Sequence, residues 1–251
     1  MPTKPASGTA LNTGHSLAVG MLHFWAMLEG SGTTTADSKG GMTGTFVGSP
    51  SWTTDAEGPL ITGMTAGNNV ITSAAASGFT DPLVMTMAFR VTLPNISTGR
   101  FSPFAMDNGS GAMPFFEFGD INGLANAFHV LIPGTIVAEA AIGAYSVDDA
   151  ATFAYVRNGA GDTHVFYRDG SALTKTATGN ESTSYSNGSD KRLMGDRSDA
   201  ATQPWTKRMA WVAVWNRALS AGEVSSFTTD PFQVFGSGGL PFITQLGAQR
   251  I

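Results

Sequence analysis

The chain has 251 residues, 42% of them hydrophobic and 13% charged, with no cysteine and a net charge of −5. That apolar fraction can bury a core, which excludes wholesale disorder, and the lack of cysteine excludes disulfides, thiolate zinc sites and thiol catalysis. The acidic balance, with no Lys/Arg run beyond Lys191-Arg192 and Lys207-Arg208, leaves no basic face for a phosphate backbone, so no nucleic-acid partner is expected.

Met1-Pro2-Thr3-Lys4-Pro5 lacks the charged-then-apolar pattern of a leader peptide. The most apolar stretch, 127–145, is interrupted by His129, Pro133-Gly134 and Glu139, and a membrane span needs ~20 predominantly apolar residues. A soluble protein without a membrane partner is the expectation.

In chain order, residues 1–20 read as an extended N-terminal arm carrying isolated Leu11, Leu17 and Val19. The first strand signal is 22–28, stopped by Glu29-Gly30-Ser31-Gly32. Residues 43–47 form another, and 60–64 and 69–72 are expected to pair. In 83–91 the apolar Leu83, Met85, Met87, Phe89 and Val91 share one face, and Val84, Thr86, Ala88 and Arg90 the other. That period of two predicts a half-buried strand. Strands 101–106 and 114–118 follow, then a pair, 127–132 and 135–142, meeting at Pro133-Gly134, and a hairpin of 152–157 and 163–168. The Thr/Ser/Asn/Gly-rich stretch 174–190 reads as a long surface loop. Residues 209–215 are apolar on both faces and predict a strand inside a sheet. Ser220 with Glu223 forms a capping box, Leu219 and Val224 a hydrophobic staple, and Asp230-Pro231 ends a short helix. Ten to thirteen strands and one helix predict an all-β sandwich, divided as an arm (1–20), a domain (21–230) and a tail (231–251).

Three segments carry a family resemblance. Phe166-Tyr167-Arg168-Asp169-Gly170 resembles the hairpin end of laminin-G-like, concanavalin A-like domains. Trp211 to Val224, running through Asn216-Arg217-Ala218-Leu219-Ser220, resembles their C-terminal strand and helix. Leu28-Glu29-Gly30-Ser31-Gly32 followed by Asp37 resembles their opening strand and loop. The resemblance implies a two-sheet antiparallel jelly roll. It also implies that such a chain is similar to virion proteins of tailed phages, such as capsid decoration proteins. The expected function is therefore that of a non-enzymatic structural or binding protein on a virion, a homo-oligomer docking on a major capsid or other virion protein. The alternative is a carbohydrate-binding module or lectin that meets a cell-surface glycan. No cofactor is expected from the residues; the resemblance implies a calcium ion at a sheet edge, which the lectin reading would use, with Asp37 in the opening loop as its candidate ligand and Asp107, Asp120, Asp196 and Asp199 as other loop acids.

The residues themselves carry little catalytic signal. Glycoside cleavage on this fold needs a carboxylate pair on one strand face; the nearest candidates, Glu117 and Asp120, are three apart and fall on opposite faces. No two of His15, His23, His129 and His164 have metal-site spacing. Trp25, Trp211 and Trp215 lie in strand patterns and are expected in the core, which leaves Trp52 and Trp205 as candidate glycan contacts. Phe232, Phe235, Leu240, Phe242, Ile243 and Leu246 are too apolar for a solvated tail. They either fold back on the domain or dock on a neighbouring subunit.

Overall fold

The computed structural model describes residues 2–65, 69–72, 84–107, 115–121, 124–132, 135–159, 163–178, 191–195 and 203–236. Two antiparallel sheets make an all-β sandwich, as expected. Strands are numbered in chain order. The first sheet runs β14 (Ser171–Ala172), β13 (His164–Arg168), β12 (Ala150–Asn158), β7 (Val84–Thr92), β17 (Met209–Trp215), β5 (Gly58–Thr62) and β4 (Ser51–Asp55), and β1 (Met21–Trp25) also pairs with β17. The second runs β15 (Lys175–Thr178), β11 (Thr135–Ala141), β10 (Leu124–Ile132), β9 (Phe115–Ile121), β8 (Phe101–Asp107), β16 (Lys191–Met194), β6 (Asn69–Thr72), β3 (Gly44–Val47) and β2 (Thr34–Thr35). Among the described residues no helix is long and apolar enough to cross a membrane.

Alternation builds the core between the sheets. Phe89 and Phe153 of the first sheet meet Phe116, Phe118 and Phe128 of the second. Phe118 lies 4.7 Å from Phe153 edge-on, and 4.8 Å from Phe128 in a stack. A second apolar layer covers the outer face of the first sheet. There Ala88, Ala154, Trp211 and Trp215 pack with Phe24, Val224, Phe227, Phe232 and Phe235. The strand expected to be half-buried, β7, is therefore buried on both faces. Its polar residues are matched: the Thr86 hydroxyl donates to Arg217 O and accepts from Leu219 N, and Arg90 grips both Glu57 oxygens at 2.9 and 2.5 Å.

Helix α1 (Ala221–Thr229) begins as its sequence predicts. Ser220 accepts from Glu223 N, Glu223 accepts from Ser220 N, and Arg217 holds the same glutamate at 2.7 Å. Leu219 and Val224 are both buried in the outer layer. Loss of this cap in Ser220→Ala is expected to lower stability by ~1 kcal/mol in urea unfolding; no measurable change would show that the Arg217–Glu223 pair alone fixes the helix start.

Three expectations are corrected. The segments expected to pair, 60–64 and 69–72, go to different sheets: β5 pairs with β4, and β6 with β3 and β16. Hydrophobic pattern marks strands but does not choose partners, and the β4 partner, SWTTD, is too polar to announce itself. The stretch 174–190 carries a strand, β15, and its residues 179–190 lie outside the described ones. Residues 2–20 are not an extended arm. Asn12 N donates to Val234 O, Leu17 O accepts from Trp215 Nε1, and Arg217 binds Ser16 O and Val19 O, because Leu17 belongs to the outer apolar layer and Leu11 packs against it.

Candidate functional site

On β9, β10 and β11 the inward residues are Phe116, Phe118, Phe128, Val130, Ala138 and Ala140. Alternation sends Glu117, His129 and Glu139 to the other face of the sheet. Register sets them in one row, His129 lying opposite Glu117 on one side and opposite Glu139 on the other. All three are buried. His129 Nε2 is 3.1 Å from Gly119 O, and a carbonyl only accepts, so Nε2 carries the proton. His129 Nδ1 faces Glu139 Oε2 at 2.9 Å. Burial pushes His129 down to about 4, against the pull of the Gly119 carbonyl, and burial pushes Glu139 up. Both shifts act in the same sense, against charging either group in this buried place. One-strand spacing could not reveal this row, because its members come from three strands.

The other expected site residues are spread over the fold. Asp37 is buried at the bridge to Trp25. Its Oδ1 accepts from Phe24 N at 2.9 Å and Lys39 N at 3.0 Å; its Oδ2 accepts from His23 Nδ1 at 2.7 Å and Met42 N at 3.3 Å. A carboxylate enclosed by N–H donors is not the open oxygen ligand that calcium requires, so the expected role for Asp37 is corrected to that of a structural anchor. Asp120 accepts from Asn126 N and caps the β9–β10 turn. The side chain of Asp107 and residues Asp196 and Asp199 lie outside the described residues. Among the described residues no group of three or more His, Asp or Glu gathers to hold a metal ion.

Trp205 is wholly buried, with its ring 5.5 Å from Phe118, so it is core and not a glycan contact. Polar neighbours in sequence suggested a loop; the loop does exist, but its indole packs into the core between the sheets. Trp52, on the edge strand β4, is half-buried. One side of its ring packs on Phe46 at 5.5 Å, and its Nε1 donates to Gly32 O at 3.0 Å. The exposed Ser51, Thr54, Thr34 and Thr45 bring hydroxyl groups to this same sandwich edge, where β4, β3 and β2 end the two sheets.

Phe232 and Phe235 are buried in cis against Phe24, at 6.4 and 5.4 Å, so of the two alternatives folding back on the domain holds for this pair, and docking on a neighbouring subunit does not. Asp230 caps their short 3-10 helix (Pro231–Phe235). Leu240, Phe242, Ile243 and Leu246 lie outside the described residues.

No family model and no curated protein matches the chain. Solved structures share its fold. The sialidase of Trypanosoma rangeli, in complex with the inhibitor DANA, is 12% identical with a TM-score of 0.60, over 85% of this chain and 33% of that one. The chain thus spans about a third of the sialidase's length. The binding domain of Paraclostridial Mosquitocidal Protein 1 is 14% identical, TM-score 0.62, over 85% and 52%. Domain 4 of an extracellular arabinanase from Geobacillus stearothermophilus, in complex with arabinotriose, is 12% identical, TM-score 0.56, over 83% and 98%. At such identities the likeness is one of fold. The expectation that the chain is not an enzyme does not stand on its fold, which part of a sialidase shares; at 12% identity that likeness assigns no activity. That expectation rested on the lack of a carboxylate pair along one strand, whereas the sheet register sets Glu117 and Glu139 on either side of His129.

Proposed function

We propose that the chain is a carbohydrate-binding β-sandwich module that takes a short oligosaccharide against Trp52. The observation that carries this reading is the likeness to domain 4 of the arabinanase: this chain's fold spans 98% of a domain whose structure contains arabinotriose. Trp52 suits the task chemically. Its ring is fixed by Phe46 and by the Gly32 carbonyl, so little side-chain freedom is lost on binding. The virion setting draws no support from these likenesses and forms no part of the reading.

Isothermal titration with arabino-oligosaccharides, followed by a broad glycan panel, tests the proposal. An aromatic contact worth ~1.4 kcal/mol corresponds to about a tenfold loss of affinity in Trp52→Ala. The thermal midpoint should barely move, because the indole is only half-buried. The reading is lost if no glycan binds, or if Trp52→Ala binds as tightly as the parent chain.

A further inference from the structure

Two strands share one edge of β17. β1 pairs with residues 212–215, while β5 pairs at Met209 alone. Ala210 falls between the two and is absent from both registers, and the β17–β7 ladder is also irregular between Met209 and Trp211. Such a seam leaves backbone carbonyls without ladder donors, and buried carbonyls need partners.

The donor comes from Lys4. Its Nζ donates to Met27 O at 3.2 Å, to Ala210 O at 2.6 Å and to Pro59 O. These three oxygens come from the turn after β1, from β17 and from β5. A primary amine has up to three N–H groups, and the socket presents three acceptors. The fit extends along the stem. Gly58, at φ +130°, lies beneath it, and a Cβ there would stand 3.2–3.3 Å from three of the lysine's methylene carbons. Met27, fully buried, has φ +53°, a left-handed conformation uncommon for a side chain of its size, and its carbonyl is one of the three acceptors. The charged groups whose fields act on the amine are Asp55, Glu57 and Glu29, with Arg90 held by Glu57.

We propose that the Met27, Pro59 and Ala210 carbonyls form a binding site for a primary amine, and that Lys4 is its tethered occupant. Recognition rests on N–H donors, because every hydrogen bond of the amine ends on a backbone carbonyl. The N-terminal segment is then a ligand carried by the chain itself. Lys4 and Leu17 anchor it at either end, and the exposed residues Ala6, Ser7 and Gly8 lie between.

Chemical rescue tests the site. Full-length Lys4→Ala vacates the socket, and its thermal unfolding is followed at neutral pH in n-butylammonium chloride and in tetramethylammonium chloride at matched ionic strength. Butylammonium carries the lysine head group and stem; tetramethylammonium has no N–H. Expected is a lowered midpoint for the variant, more than half of it regained in butylammonium, none in tetramethylammonium, and no gain for the parent chain. Equal effects of the two salts on the variant overturn the proposal. If Lys4→Ala does not fold unaided, refolding is attempted in each salt: recovery in butylammonium alone supports the site, and recovery in neither or in both overturns it.

Discussion

Asp37→Ala is expected to remove ~3–5 kcal/mol of stability, the range for breaking a buried charged network by deleting one partner. Its carboxylate joins β1 to the following loop through four N–H donors, and the ring of one of them, His23, stacks on Trp25 at 5.0 Å. The indole of Trp25 in turn donates to Met42 O at 2.7 Å. Removing the carboxylate strands those donors in a buried place. Burial alone would push the Asp37 carboxyl up, but the bonds from His23, Gly40 and Phe24 outweigh it and hold the group below its ordinary 3.8. A depressed carboxyl stabilises the fold above its unfolded-state value, and that stability drains as pH falls through the folded-state value. The parent chain therefore loses this contribution below roughly pH 4, and the variant, lacking the group, shows a shallower acid slope. Urea unfolding of both chains, at neutral pH and through the acid range, measures both effects. A neutral-pH difference below ~1 kcal/mol would mean that the network is worth no more than one ordinary hydrogen bond.

Trp205→Ala is the second large effect, ~3–5 kcal/mol for emptying a buried aromatic site. Trp205 fills the end of the core beside Phe118, and its backbone N–H bonds to Gly195 O at 2.7 Å. Glycan affinity in the surviving folded fraction should match that of the parent chain. The two tryptophans are thus expected to separate: Trp52 governs binding with little effect on folding, and Trp205 the reverse. Denaturant titration and calorimetry on the same two variants decide this. A Trp205→Ala chain that keeps its stability but binds weakly would place the glycan at Trp205 and not at Trp52.

The separation of these tryptophans shows where sequence reading stops. Strong patterns survived translation into structure. The apolar residues of 209–215 became the buried strand β17, and Ser220 with Glu223 became a helix start with both reciprocal bonds. Short polar strands such as β2, β4 and β14 carry too few apolar residues for periodicity to register. Partner choice was equally hidden, since β5 and β6 look alike locally yet sit in different sheets. The Glu117–His129–Glu139 row exists only through register between three strands, a relation with no counterpart in spacing along one of them. Lys4 was passed over for a related reason: its acceptors are backbone carbonyls contributed from 23, 55 and 206 positions away, and a carbonyl has no residue signature.

The bond between Asn12 N and Val234 O, at 2.8 Å, joins segments from opposite ends of the chain on one side of the sandwich. A polypeptide entering and leaving a compact body at neighbouring points can be spliced into a surface loop of a host protein without prying that host apart. The same adjacency suits circular permutation, in which a short bridge joins the two segments and fresh ends are opened at an exposed turn.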